Sequence, residues 1–219
     1  WEGAALSNLG TVEANLGNRA AAKSYYDQAI AVARELGERV WEADLLCNLG
    51  LFKLEEGDAQ AARADLGQSL ILARENGLSL LESVVLCNVG LLCETTGEFA
   101  EAEASHRQAV ELARRRGDRR SEGQFLSYLG LLLAKRGDAP EGRRSLNDAA
   151  SILRQVKDRM SLAIALSAYA QACRTWGDLE GGRTSFEEAT SIAKEIDVAP
   201  GSELAISLAK ARAALDTVI

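Results

Sequence analysis

The chain has 219 residues, of which 47% are apolar and 26% charged, a composition that suits one large or two small folded domains. A net charge of −7 and an isoelectric point near 5.0 argue against a nucleic-acid surface, which needs a basic patch. No apolar run approaches the ~18–20 residues of a membrane span, and no basic-then-apolar signal segment opens the chain, so neither membrane nor nucleic acid is expected as a partner.

Laid on itself at an offset of 40, the sequence falls into columns. The segments LSNLG (6–10), LCNLG (46–50), LCNVG (86–90), LSYLG (126–130) and LSAYA (166–170) share one column, and Gly17, Gly57, Gly97, Gly137 and Gly177 share another. This predicts five 40-residue repeats, at 1–40, 41–80, 81–120, 121–160 and 161–199. The chain begins with Trp1 and not with Met, and reads as a piece of something longer.

Each repeat reads as two helices. In the second, apolar residues at Leu45, Leu46, Leu49, Phe52 and Leu54 predict a first helix over 41–56. Gly57 ends it as a left-handed C′ residue. Asp58 then caps a second helix over 59–76, and Asn18, Glu98, Asp138 and Asp178 share its column. Gly37, Gly77 and Gly117 close the second helices. In the fourth repeat Pro140 falls in a first helical turn, where its missing N–H costs little. After the fifth, Ser202 caps a last amphipathic helix. Residues 200–219 therefore read as a terminal cap covering an exposed apolar end, with Lys210 in the column that elsewhere holds a glycine.

Small residues recur where two helix backbones must approach. Gly10, Gly50, Gly90, Gly130 and Ala170 face Ala22, Ala62, Ala102, Gly142 and Gly182, twelve residues on. Mid-helix glycine costs ~1 kcal/mol against alanine, so its repetition requires close packing. A large residue follows four positions later: Tyr26, Leu66, His106, Leu146 and Phe186.

These residues resemble the tetratricopeptide pattern over about 1–197. The usual unit has about 34 residues; the 40-residue unit with its LxNLG segment is similar to that of kinesin light chains, Pins-type G-protein-signalling modulators and the helical regions of many bacterial regulators. The resemblance implies an all-α, right-handed superhelical solenoid with first helices lining the concave face. It also implies a scaffold that binds a protein or peptide there, as monomer or weak dimer, without catalysis, cofactor or metal. A cytoplasmic location is expected from four cysteines placed inside helices.

On that concave face the first column is Asn8, Asn48, Asn88, then Tyr128. A carboxamide donates and accepts, so a row of them suits the backbone of an extended peptide; in the families resembled, this asparagine has that role. The other reading is a packing residue copied at duplication. Leu51, Leu91 and Leu131 form either an apolar strip for ligand anchors or a contact between repeats. Glu55, Glu94, Lys135 and Arg174 lie beyond them. Lysines and arginines of a dicarboxylate clamp are missing: those positions hold Asp44, Val84, Gln124 and Ile164.

His106, the single histidine, fills the large-residue column and reads as a packed spacer. The carboxylates are expected to pair with arginines along helix faces. The dense Arg114-Arg115-Arg116, Arg119, Arg120 stretch either complements a helix dipole or docks an acidic partner. Two alternatives to a peptide scaffold stand: a regulatory or sensor module of a larger signalling or transcription-regulatory protein, and a self-associating scaffold stacking through Trp1 or the last helix.

Overall fold

A computed structural model describes residues 2–216, apart from the side chains of residues 2–4 and Asn15. Trp1, invoked above for stacking, lies outside the described residues. The chain divides into two compact units, 1–105 and 106–219, and no strand occurs among the described residues. The first unit holds α1 (Glu2–Asn15), α2 (Arg19–Glu35), α3 (Arg39–Glu55), α4 (Ala59–Glu75), α5 (Ser79–Thr96) and the start of α6 (Phe99–Arg116). The second holds the rest of α6, α7 (Arg119–Lys135), α8 (Ala139–Gln155), α9 (Arg159–Trp176), α10 (Leu179–Glu195) and α11 (Glu203–Asp216).

Helices pair in sequence as antiparallel hairpins: α1 with α2 and α3 with α4 in the first unit, α7 with α8 and α9 with α10 in the second. Each hairpin then leans on the next, α2 on α3 and α4 on α5, α8 on α9. The turns follow from their residues. After α3, Gly57 at φ +83° lets its N–H reach Leu54 O while Asp58 N–H reaches Lys53 O, which satisfies carbonyls the helix leaves open. Lys157 (φ 59°) and Asp197 (φ 51°) adopt the same left-handed state in the column of Gly77.

Aspartate caps form where expected and in two further turns. Asp58, Asp138 and Asp178 accept from the backbone N–H groups of Ala61, Glu141 and Gly181, and Asp118 and Asp158 from those of Ser121 and Ser161. Asn18 does not cap; its amide donates to Glu13 Oε2 at 2.7 Å.

The small-residue columns hold the hairpins closed. A Cβ on Gly50 would sit 2.7 Å from Leu66 Cγ. On Gly130 it would meet Leu146 Cγ at 2.7 Å and Gly142 O at 3.1 Å. In the first unit Tyr26, Ile30, Leu45, Leu46, Leu49, Phe52 and Leu72 form a core cluster, with the Tyr26 and Phe52 rings 5.8 Å apart. Ser69 lies in this interior because its hydroxyl donates to Ala43 O at 2.7 Å.

One sequence expectation needs correcting. By length and composition, α5 is apolar enough to cross a membrane. In this fold it is a core helix: Val85, Leu86, Cys87, Leu92 and Cys93 are buried, and Glu82 pairs with Arg74 at 2.8 Å.

The last helix rests on α9 and α10. Leu204 and Ala211 are fully buried, and a Cβ on Gly182 would meet Leu215 Cδ2 at 2.9 Å. Lys210 is exposed, so its replacement of a glycine meets no opposing helix.

Candidate functional site

The expected binding columns fall in both units, and their members differ in what they touch. In the first unit Asn8 is exposed and Asn48 half-buried; neither makes a side-chain hydrogen bond among the described residues. Asn88 differs. It is 9% exposed, and its amide donates to Cys47 Sγ at 3.3 Å. One rung of the asparagine row is thereby used to tie α5 to α3. Leu51 and Leu91 are half-buried, Glu94 is half-buried and Glu55 is exposed.

In the second unit the same columns are engaged by the chain itself. The Tyr128 hydroxyl donates to the Glu203 carboxylate of α11, and its ring stacks on His106 with centroids 6.1 Å apart. Leu131 packs against Ala134, Leu146, Ala168 and Ala172. Gln171, in the column of the leucines, donates to Ser167 O at 3.3 Å and to Ser207 O of α11 at 3.5 Å. Lys135 and Arg174 are exposed. Glu203 and Ser207 were not singled out in the sequence, where the last helix reads only as a cap. At the positions of a dicarboxylate clamp, Gln124 donates to Ser161 Oγ at 2.7 Å, and partial burial raises the Asp44 carboxyl above its ordinary value.

The arginine-rich stretch is internally neutralised. Arg114 and Arg119 both hold Glu122, Arg115 holds Glu111, Arg116 holds Asp118 and Arg120 holds Asp158. Glu42 is held the same way by Arg34 at 2.7 Å and Arg39 at 2.8 Å. Burial alone would raise its carboxyl; the two guanidinium hydrogen bonds outweigh this and hold it below the ordinary value. Many pairs run between hairpins and not along one helix: Arg63 to Glu98, Arg107 to Glu141, Arg143 to Asp178 and Arg154 to Glu188.

Groups that carry chemistry are placed for packing. His106 is fully buried. All four cysteines are buried free thiols. Burial pushes the Cys47 and Cys93 thiols up to about 11 and Cys173 to about 12, which removes the thiolate at neutral pH. Cys93, Glu98 and Glu101 bring possible metal-ligand atoms within 4.8 Å of one another, but Glu98 is already neutralised by Arg63. A cleft of about 510 Å³ beside α6 and α8 in the second unit has Leu126 and Leu129 among its lining and the Arg107–Glu141 pair at its rim. None of the expected binding residues lines it.

Comparison with known proteins gives one family and a consistent fold. The tetratricopeptide repeat model matches residues 1–70, 41–115 and 122–195. No curated protein sequence matches the chain. Among solved structures, BtubC (BKLC) from P. vanneervenii is similar with a TM-score of 0.73 at 18% identity, over 90% of this chain and 82% of that one. A variant of a Podosopora anserina putative kinesin light chain with nearly identical TPR-like repeats gives 0.69 at 15% identity, over 88% and 95%. Aspartyl phosphate phosphatase F from Bacillus subtilis gives 0.76 at 11% identity, over 99% of this chain and 60% of that one. At these identities the likeness is one of fold. The sequence match extends over most of the chain, and the protein belongs to the tetratricopeptide repeat family.

Proposed function

We propose that the protein is a non-catalytic interaction scaffold that binds an extended peptide segment along α1, α3 and α5 of its first unit. The observation that carries this reading is Asn48. It is a half-buried carboxamide with no side-chain hydrogen bond among the described residues, on a helix whose other half-buried and buried polar groups are mostly paired. A group so placed has a donor and an acceptor to offer a ligand backbone. Asn8 repeats the arrangement one hairpin earlier. Leu51 and Leu91, partly open beside the row, supply apolar contact for side chains. Asn88 contributes by fixing α3 against α5 through Cys47, and not by touching the ligand. The equivalent face of the second unit is occupied by Glu203 and Ser207 of α11, which is why the site is assigned to the first.

The test is a selection of binders from a random 12-residue peptide library, followed by titration against Asn8→Ala/Asn48→Ala. Two amide contacts at about 0.5–1.5 kcal/mol each predict a loss of roughly tenfold in affinity. Equal affinity of the variant, or a library that yields no binder to the native chain, discards the amide reading.

A second reading is a regulatory module of a larger cytoplasmic protein. The likeness to an aspartyl phosphate phosphatase, of which this chain covers 60%, favours it. Its support would be a native partner domain that binds the same face and competes with the selected peptides.

A further inference from the structure

The first unit carries on α3 a carboxylate that the chain itself leaves unanswered. Asp44 stands one helical turn before Asn48, so the two side chains share a face. Asp44 is exposed, yet partial burial raises its carboxyl above the ordinary value, and no donor or cation among the described residues offsets this. Glu42, two residues earlier, shows the contrast: Arg34 and Arg39 both hold it. Burial pushes the Cys47 thiol up and the Asp44 charge adds to this, which places the Asp44 carboxylate near Cys47, the group that receives the Asn88 amide. Asp44 thereby belongs to the same patch as the asparagine row.

The helices of this face have no cation to spare for that charge. α1 and α5 contain no lysine or arginine. The two basic residues of α3, Arg39 and Lys53, are committed to Glu42 and Asp65. On α5 the position of Asp44 holds Val84, which is half-buried and packs against the cluster that contains Cys47. A partly dehydrated carboxylate beside an apolar wall matches a side chain with a cationic head on a methylene stem. Such a cation would return to Asp44 the stabilisation that burial takes from its charged form. We propose that Asp44 is a specificity residue of the first-unit face and selects a ligand that sets a lysine or arginine against Asp44 and Val84. This selection rests on the peptide-binding reading above, since it concerns the same face: the peptide taken there is basic and not acidic.

The probe is the tightest binder from the random 12-residue library, titrated with the whole chain. The selected sequences are expected to share a lysine or arginine at one position. Asp44→Asn, which removes the charge and keeps the shape, is expected to weaken the binder about tenfold. The same peptide with its basic residue replaced by glutamine should bind the native chain and Asp44→Asn alike. Asp44→Lys should reverse the preference, so that glutamate at that peptide position binds better than lysine. Glu187→Gln, an exposed position on α10, controls for general attraction to an acidic protein and is expected to have no effect. Thermal midpoints check that each variant is folded. Selected sequences with no basic residue in common overturn the proposal, as does native affinity in Asp44→Asn or equal weakening by Glu187→Gln. Asn8→Ala/Asn48→Ala separates the two readings. Loss of affinity in that variant and none in Asp44→Asn keeps the amide reading and overturns this one; loss in Asp44→Asn alone does the reverse. A library with no binder overturns both.

Discussion

Gly130 and Gly67 both stand inside helices, and their surroundings set opposite consequences for the same substitution. A methyl on Gly130 would lie 2.7 Å from Leu146 Cγ and 3.1 Å from two backbone atoms, Gly142 O and Leu146 N. Leucine can turn aside, but backbone cannot without separating α7 from α8. The strain of overpacking, about 1–3 kcal/mol, exceeds the ~1 kcal/mol that alanine gains over glycine in a helix. At Gly67, on α4, nothing lies within 4 Å of the added carbon, so only the helix preference acts. Gly130→Ala is expected to lower stability by about 1–2 kcal/mol and Gly67→Ala to raise it by up to about 1 kcal/mol. Urea unfolding midpoints decide. If both substitutions moved the midpoint the same way, close helix approach would not be the reason for the glycine column.

At the scale of the helical hairpin, the recurring feature is the left-handed residue that closes each helix. Gly37, Gly77 and Gly117 fill it in three repeats, and Lys157 at φ 59° in the fourth. A side chain in that conformation costs roughly 1–2 kcal/mol, and glycine removes the cost while adding freedom to the unfolded chain. Lys157→Gly is therefore expected to stabilise by about 0.5–1 kcal/mol, and Gly77→Ala to destabilise by a similar amount, both read as shifts in unfolding midpoint. An unchanged midpoint for both would show that the turn relaxes without strain. Most of these turns are legible in the sequence because glycine marks the left-handed position by backbone chemistry, at Gly37, Gly77 and Gly117, whereas Lys157 and Asp197 take the same conformation without that signal. The pairing of charges is not legible in the same way. Arg63 meets Glu98, 35 residues on, and Arg107 meets Glu141, 34 residues on. A helical repeat predicts neighbours three and four positions apart, but which outer helix lies beside which is a property of stacked hairpins.

Over the whole molecule, the candidate site was legible as a column and not as an environment. Register alone groups Asn8, Asn48, Asn88 and Tyr128, yet Asn88 turns to Cys47 and Tyr128 to Glu203 because elements distant in sequence supply a partner at those two positions. The same network of long-range partners fixes how stability responds to acid. At Glu98, Glu141 and Asp178 the hydrogen bonds from Arg63, Arg107 and Arg143 hold the carboxyls below their ordinary values. At Glu42, Asp118 and Asp158 burial works against ionisation, and hydrogen bonds from Arg34 and Arg39, from Ser121 and from Ser161 outweigh it. Each group therefore binds its proton more readily unfolded than folded, so stability rises with pH through this range. Their contribution is complete above the ordinary values of 3.8 and 4.5 and is lost as pH falls through the lowered folded values. Asp44, raised by burial, acts in the opposite sense but is one group against six. The urea midpoint is expected to be nearly level from about pH 8 to 5.5 and to drop below about pH 4.5. In Glu42→Gln/Asp158→Asn, two of the proton-linked groups are gone, so the drop should be shallower although the variant is less stable at neutral pH. A native midpoint that stayed level to pH 3, or a variant with the same acid slope, would remove the paired carboxylates as the source of acid sensitivity.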